Sequence, residues 1–394
     1  MLANRTSIIS PSVTIGISTK VKELKRQGID VTSLSIGEPD FFTPENAKLA
    51  AIEAIKANKT KYDAASGLFE LKQAIVSKLK RDNNVDYDLD EIVVSSGAKH
   101  SISNTLLAIM NPGDEIIIPK PYWTSYPEMV KLLNGVPIFA NTQAENSFKL
   151  QEDELTALIS EKTKAIFITN PSNPTGAVYT KDELEPIVKV CIENQIYIIA
   201  DEIYEKIIFG SEFTSISSLS DEAKNITITI NGLSKSSSMT GWRLGYTASS
   251  KKLAQAMSAI QGHLVSHPST ISQWAAVEAI NNCEADTQHM VKTYYQRRNE
   301  VIKIFKDIED LSIIRPDGAF YTFINVSKLR PYLGDVDSLS VEISNILLDK
   351  YRLAVVPGLA FGLDDYIRIT YAADMDTVET GINKIVQFIE DIKR

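Results

Sequence analysis

Residues 196–204 read IYIIADEIY, a short apolar run that ends at an acidic pair and a tyrosine. Similar β-branched runs recur along the chain, namely EIVVSS (91–96), EIIIPK (115–120), AIFITN (165–170), ITITIN (226–231) and WRLGYTA (242–248). Between several of them lie longer stretches with helical spacing, such as residues 181–194. Short, continuous apolar strands that alternate with helices are typical of a mostly parallel sheet covered on both faces. The sequence therefore predicts a large α/β domain over residues 45–290.

The C-terminal third has a different pattern. Helical and extended stretches mix there. Helices are predicted over 286–309, 338–350 and 375–392, and the extended stretches are GAFYTFINV (318–326), LAVVPG (353–358) and YIRITYA (366–372). This pattern indicates a smaller α+β domain over residues 291–394. We expect residues 1–44 to pack on it.

The composition limits the possible partners. The chain has 394 residues and a formal net charge of -9, which argues against nucleic acid or an anionic membrane as the main partner. No apolar run approaches the roughly 20 residues that span a bilayer, and the N-terminus has no long apolar stretch. We therefore expect a soluble, cytoplasmic protein.

The cysteines and histidines predict neither a disulfide nor a metal site. Cys191 and Cys283 are far apart in sequence, and neither lies in a CxxC motif. The four histidines show no HxxxH or HExxH spacing.

Polar residues follow four of the predicted strands, at the edge where parallel sheets bind ligands. They are the groups Ser96-Gly97-Ala98, Pro171 to Gly176, Asp201 to Tyr204 and Gly232 to Lys235. Taken singly, Asp201 is more often a helix cap and Lys235 a solvated surface lysine. Their order and spacing together favour a ligand with a phosphate, a ring nitrogen and an electrophilic carbon.

Longer motifs carry a family resemblance. The chain contains SIGEPDF (35–41), KYDAASGLFELKQAI (61–75), PKPYWTSYPEM (119–129), NPSNPTG (170–176), DEIYEKIIF (201–209), SKSSSMTGWRLGY (234–246) and YIRITYA (366–372). In these motifs it resembles the fold-type I aminotransferases, which depend on pyridoxal 5'-phosphate (PLP), from about Ser10 to the end. Within that family it most resembles the bacterial-type aspartate aminotransferases, some of which also act on prephenate.

The resemblance implies roles for residues around the cofactor ring. Lys235 would carry PLP covalently and move the proton during catalysis. Asp201 would pair with the ring nitrogen, so that the ring accepts electrons. Asn173 and Tyr204 would bond the ring oxygen, and Trp123 would stack on the ring.

The resemblance also implies contacts to the phosphate. The backbone of Gly97 and Ala98, at a helix start, and the Arg243 guanidinium would bind it, with Lys99 beside them. Tyr62 would reach the phosphate of a partner subunit, which implies a homodimer with shared active sites.

Substrate contacts are implied on both sides of the site. Arg368 would bind the substrate α-carboxylate, with Gly37, Asn173 and Trp123 around the substrate. Lys99 and Thr14 would bind the second carboxylate of aspartate or glutamate.

Three positions depart from the family pattern. Gly232 stands where some relatives have a serine that touches the phosphate, and His100 stands where glutamine is common. The stretch His263 to His267 replaces a loop richer in serine and threonine that reaches a neighbour's phosphate in relatives.

The expected reaction is transfer of the amino group of L-aspartate to 2-oxoglutarate. Alternatives are an aspartate or glutamate–prephenate aminotransferase, an aromatic or kynurenine aminotransferase, and a carbon–sulfur lyase of the same fold. A non-catalytic PLP-binding regulator is disfavoured because the expected catalytic residues are present. A dinucleotide enzyme is disfavoured because no GxGxxG follows a strand.

Overall fold

The computed structural model describes residues 2–394. The strands are β1 (Thr32–Ser33), β2 (Ile92–Ser95), β3 (Glu115–Lys120), β4 (Val136–Asn141), β5 (Thr163–Thr169), β6 (Tyr197–Asp201), β7 (Thr227–Gly232), β8 (Gly245–Ala248), β9 (Ser312–Ile313), β10 (Tyr321–Asn325), β11 (Leu353–Ala354), β12 (Val356–Pro357) and β13 (Tyr366–Thr370). The α-helices are α1 (Arg5–Ile8), α2 (Val13–Arg26), α3 (Glu45–Lys56), α4 (Phe69–Asn83), α5 (Ala98–Ile109), α6 (Tyr126–Leu132), α7 (Glu152–Thr156), α8 (Lys181–Glu193), α9 (Asp221–Ile226), α10 (Leu233–Ser236), α11 (Lys251–Leu264), α12 (Thr270–Asn282), α13 (Glu284–Lys306), α14 (Arg330–Leu333), α15 (Leu339–Tyr351) and α16 (Met375–Lys393).

The central sheet has seven strands in the order β2-β8-β7-β6-β5-β3-β4. β8 runs antiparallel to both of its neighbours, and every other pair is parallel. The prediction of a mostly parallel sheet in an α/β fold is thus confirmed. Helices cover both faces, and β2 and β7 are buried along their whole length. This double burial is why these strands are almost continuously apolar in sequence.

Two details differ from the sequence prediction. The edge strand β4 was not predicted, because its sequence VPIFAN is partly exposed and lacks the continuous apolar pattern. The predicted strand over 242–248 begins only at Gly245. The residues before it form a 3-10 turn, and Arg243 has a left-handed φ of 55°.

The C-terminal region forms a second, antiparallel sheet in the order β12-β13-β10-β9. Its core is apolar and includes Phe320, Ile369 and Phe388. The N-terminal segment joins this region, because β1 pairs in parallel with β11. α13 runs across residue 290, so the proposed division of the chain at that point falls within a continuous helix.

Of the helices within residues 2–394, none combines the length and the apolar composition needed to cross a membrane.

Candidate active site

A cavity of about 530 Å³ opens at the carboxyl edge of the central sheet. The ends of β5 and β6, the short helix α10 that follows β7, the first turn of α5 and strand β13 all contribute to its wall, and one face of α2 completes it. Most of the residues predicted for the site line it, namely Thr14, Gly37, Ala98, Lys99, Trp123, Asn173, Asp201, Tyr204, Lys235, Arg243 and Arg368. The structure thus brings together side chains that lie more than 300 positions apart in sequence.

Lys235 projects into this cavity from the short helix α10, which follows β7 directly. Its Nζ donates a hydrogen bond of 2.5 Å to the Gly37 carbonyl oxygen. Burial lowers the pKa of Lys235 to about 8; Glu38 opposes the shift, whereas the cations Arg368 and Arg243 add to it. A lysine with such a pKa has an appreciable neutral fraction near pH 7, and the neutral amine is the nucleophile.

Asp201 ends β6 and lies buried at the floor of the cavity. The Tyr126 hydroxyl donates a 2.6 Å hydrogen bond to its Oδ2, and the Ile203 backbone N–H donates one of 3.3 Å to Oδ1. Burial raises the pKa of the Asp201 carboxyl. A buried carboxylate with few partners is stabilised by a cation or a protonated ring nitrogen, so this position fits such a group.

Arg368 lies buried on β13. Its Nη1 donates to Asn173 Oδ1 at 2.9 Å, its Nη2 donates to the Ser35 carbonyl oxygen at 3.0 Å, and its guanidinium lies 4.3 Å from the centre of the Tyr321 ring. Within residues 2–394 its buried Nε has no hydrogen-bond partner. A buried guanidinium with a free donor is suited to an incoming carboxylate.

The hydroxyls of Tyr204 and Tyr321 are 2.7 Å apart. Tyr204 was predicted to bond the cofactor's ring oxygen, and here its hydroxyl is paired with a residue that the sequence reasoning did not single out. The two phenols lie buried beside Arg368. Burial raises the pKa of Tyr321, and the positive charge of Arg368 opposes part of this rise.

The start of α5 forms a close glycine-lined contact with β8. A Cβ at Gly97 would lie 2.5 Å from Arg243 Nη2, and a Cβ at Gly245 would lie 2.3 Å from the Ala98 backbone nitrogen. The helix begins at Ala98 without a side-chain cap, so its first N–H groups remain for a ligand. Free helix N–H groups beside a guanidinium suit a phosphate.

Lys99 occupies the first turn of α5, with its Nζ 4.7 Å from the centre of the Trp123 ring. Burial lowers the pKa of Lys99, and the nearby Arg243 contributes in the same direction. Thr14 lies across the cavity on α2, where its Oγ1 is 3.1 Å from Ser12 Oγ. Lys99 and Thr14 therefore line the same cavity, although they lie 85 positions apart in sequence.

Tyr62 lies outside the cavity wall of its own chain, and its side chain is 90% exposed. Its ring packs edge-on against His267, with 5.7 Å between ring centroids. The segment 263–267, which spans the end of α11 and the residues after it, thus contacts the segment that carries Tyr62 within the same chain.

The structure also explains two of the departures from the family pattern. A Cβ at Gly232 would lie 2.8 Å from the Leu244 carbonyl oxygen, so a serine does not fit there without a shift of β8. His100 accepts a 3.2 Å hydrogen bond from the Ser96 backbone N–H through Nδ1, and burial lowers its pKa. His100 therefore stabilises the strand-to-helix turn.

A buried polar network behind the site was missed at the sequence level. Lys78 on α4 forms an ion pair with Glu205 and donates to Asn83 Oδ1 at 2.7 Å, and Asn83 Nδ2 donates to Glu205 Oε2 at 2.7 Å. This network holds α4 against the turn that carries Asp201 and Tyr204. The available signal was a lysine within the apolar stripe of α4.

Tyr126, Tyr321 and Ser35 were also missed. They contact Asp201, Tyr204 and Arg368, respectively. Tyr126 lies within a quoted motif, but nothing in its spacing distinguishes it from the other aromatic residues there.

Known proteins resemble this chain over nearly its whole length. An aspartate aminotransferase of Bacillus sp. strain YM-2 is 44% identical over 393 residues, which cover 99% of each chain. A probable aspartate/prephenate aminotransferase of Rickettsia bellii is 44% identical over 384 residues and 96% of each chain.

Solved structures agree with this fold. An aspartate aminotransferase of Rhizobium meliloti superposes with a TM-score of 0.94 at 37% identity, covering 99% of both chains. An aspartate aminotransferase of Thermus thermophilus with maleate superposes with a TM-score of 0.93 at 35% identity, covering 98% of this chain and 99% of that chain. The family model described as aminotransferase class I and II matches residues 29–385. The chain belongs to the class I and II aminotransferase family and has its fold-type I architecture.

Proposed function

We propose that this enzyme transfers the amino group of L-aspartate to 2-oxoglutarate, with pyridoxal 5'-phosphate as its cofactor. The observation that carries the proposal is the arrangement of cations in one cavity. Arg368 and Lys99 line it together with the Lys235 amine, whose pKa is lowered to about 8. Two cations beside a nucleophilic amine match a substrate with two carboxylates.

The residues present fit pyridoxal phosphate. A phosphate fits against the Gly97 and Ala98 backbone and Arg243, where a side chain at Gly97 would fill the space. The buried Asp201 carboxylate suits a protonated ring nitrogen, and Lys235 supplies the amine for covalent attachment. When bound, this cofactor supplies a protonated ring that accepts electrons from the substrate carbon.

The remaining cofactor contacts come from residues around the ring. Trp123 offers an aromatic face, with Lys99 next to it. Tyr204 and Asn173 supply a hydroxyl and an amide to a ring oxygen. Asn173 also accepts a hydrogen bond from Arg368, and the Tyr204 hydroxyl pairs with that of Tyr321, whose ring lies against the Arg368 guanidinium. We propose that these shared contacts couple substrate binding to the cofactor.

The protein's own groups perform the other steps. Arg368 binds the substrate α-carboxylate through its guanidinium fork. Gly37 lies over the same substrate, where its carbonyl oxygen accepts from Lys235 Nζ. When a substrate amine takes its place on the cofactor, the freed Lys235 amine would accept the proton that leaves the substrate α-carbon and deliver it back as the product forms. Lys99 and Thr14 bind the distal carboxylate.

We further propose a two-fold symmetric homodimer in which Tyr62 completes the partner's phosphate site. The support is the exposure of Tyr62 itself and of several large apolar side chains, including Phe42, Phe69 and Leu264. Contact with a second subunit would cover such side chains. Cytoplasmic location stays a prediction from the sequence.

A substrate panel tests the function. Amino-group transfer from aspartate, glutamate, phenylalanine and kynurenine to 2-oxoglutarate is measured, together with transfer from aspartate and glutamate to prephenate. Aspartate should give the highest kcat/KM as amino donor. Transfer to prephenate would extend the function to the activity named for the Rickettsia relative. Preference for an aromatic donor, or release of pyruvate and ammonia from a cysteine conjugate, would contradict the proposal.

A further inference from the structure

Three side chains hold the irregular segment that precedes α4 and carries Tyr62. Gln261 Nε2 donates to the Ala65 carbonyl oxygen at 2.6 Å, and Gln273 Oε1 accepts from the Leu68 backbone N–H at 2.7 Å. Both glutamines are fully buried. The third anchor is His267, whose Nε2 accepts from the Asp63 backbone N–H at 3.1 Å. This histidine holds the backbone directly beside Tyr62.

Both ring nitrogens of His267 are in use. Nδ1 lies 2.7 Å from the Pro268 carbonyl oxygen. A carbonyl oxygen only accepts, so Nδ1 carries the proton and Nε2 is the acceptor for Asp63. These two bonds set the plane of the imidazole, and the Tyr62 ring packs against it at an interplanar angle of 90°.

The Tyr62 side chain has little else to direct it. Within residues 2–394 its hydroxyl makes no hydrogen bond, and the side chain is 90% exposed. The direction of the phenol therefore depends on the Asp63 backbone and on the imidazole, and His267 controls both.

We infer that His267 is a positioning residue that aims the Tyr62 hydroxyl at the cofactor phosphate of the partner subunit. The inference rests on the proposed role of Tyr62. His267 is one of the residues that replace the serine- and threonine-rich loop expected here. In this inference it affects phosphate binding indirectly, by fixing the position of Tyr62.

The test measures the rate at which purified holoenzyme releases its cofactor, followed by the loss of visible absorbance. His267→Ala removes one neutral hydrogen bond and the ring contact, and should speed release about two- to tenfold. His267→Gln should release the cofactor at a rate close to wild type, because its amide oxygen can still accept from Asp63. His263→Ala is the matched control, since His263 lies four residues before His267 near the end of α11, is exposed, and has no hydrogen bond to residues 61–68 within the described chain. It should leave release unchanged.

The same measurement in a Tyr62→Phe background separates positioning from folding. Tyr62→Phe alone should speed release, and adding His267→Ala should then cause little further change. Equal effects of His267→Ala in both backgrounds would show that it acts on the fold, and would overturn the inference. A normal release rate for His267→Ala together with fast release for Tyr62→Phe would also overturn the inference. That result would leave the proposed function intact. A normal rate for Tyr62→Phe itself would refute the proposed role of Tyr62, and the inference with it.

Discussion

At the scale of single residues, the site depends on polar groups whose properties are altered by burial. The Lys235 amine, the Asp201 carboxyl and the Lys99 ammonium all have pKa values shifted towards their neutral forms, with burial as the first cause. A ligand group of opposite charge would stabilise the charged form of each of these three side chains. The charged groups that line the cavity are therefore suited to binding a charged ligand.

The lowered pKa of Lys235 predicts a pH dependence for cofactor attachment. Only the neutral amine attacks an aldehyde, and its fraction rises with pH until the pKa of about 8 is passed. The rate at which apoenzyme takes up pyridoxal phosphate should therefore rise to about pH 8 and then level off. Stopped-flow absorbance over a pH series measures this rate. A rise that continues towards the ordinary lysine pKa of about 10.4 would contradict the prediction.

Lys99 should select for acidic substrates. Loss of a charge-assisted contact to the distal carboxylate is expected to lower kcat/KM for aspartate and glutamate about ten- to a hundredfold in Lys99→Ala. Phenylalanine, which lacks that carboxylate, should be hardly affected. Lys120→Ala is the control, because Lys120 also lies over an aromatic ring, that of Phe139, but does not line the cavity. Equal losses for all three substrates would assign Lys99 to the cofactor or the fold.

At the scale of elements, the site depends on how closely a strand approaches a helix. β8 runs antiparallel between β2 and β7, and its first residue, Gly245, lies against the start of α5. The left-handed φ of 91° at Gly97 completes the turn into that helix. Glycines at both places let the free N–H groups of α5 and the Arg243 guanidinium face the same space.

Gly245→Ala should therefore damage the phosphate site and the fold together. Its Cβ would lie 2.3 Å from the Ala98 nitrogen, and backbone atoms must move to accommodate it. Overpacking of this kind costs about 1–3 kcal/mol, and the displaced helix start should weaken cofactor binding. Gly241→Ala is the matched control, because a Cβ there meets nothing within 4 Å and its φ is not left-handed. Thermal unfolding and cofactor titration of both variants provide the measurement, and similar behaviour of the two would be incompatible with this account.

At the scale of the whole molecule, the cavity lies where separate parts of the chain meet. The central sheet contributes Asp201 and Lys235, the C-terminal sheet contributes Arg368, and α2 contributes Thr14. Relative movement of these parts would open and close the cavity around a substrate. Tyr62 does not line this cavity and is exposed, which is why a second subunit enters the proposal.

Shared sites predict complementation between inactive variants. Tyr62→Ala and Lys235→Ala chains are mixed under conditions that exchange subunits. Each hybrid dimer then has one site with an intact Lys235 from one chain and an intact Tyr62 from the other. Random exchange makes about half of the dimers hybrid, so activity should return to about a quarter of wild type. Activity no greater than the sum of the two separate variants, or a fully active monomer, would rule out shared sites.

Much of the fold and of the site could be predicted from local sequence. The buried strands β3, β5, β6 and β7 are continuous apolar runs because both of their faces are covered, and the residues after them mark the ligand-binding edge. Lys235, Asp201 and Asn173 were predicted to belong to the site because each follows such a strand within a specific motif, and all three line the cavity. The edge strand β4 was missed because partial exposure removes the same pattern.

Contacts between distant segments could be decided only by the tertiary structure. Three contacts have no periodic pattern in the sequence, because each depends on where separate elements meet. They are Tyr126 with Asp201, Tyr321 with Tyr204, and Ser35 with Arg368. Local patterns and motifs in the sequence were enough to predict the sheet, the family and the position of a candidate reactive lysine. Packing decided three other features, because burial and steric fit exist only once the chain is folded. They are the burial of Lys235, the lack of space for a side chain at Gly232 and the direction of the Tyr62 ring.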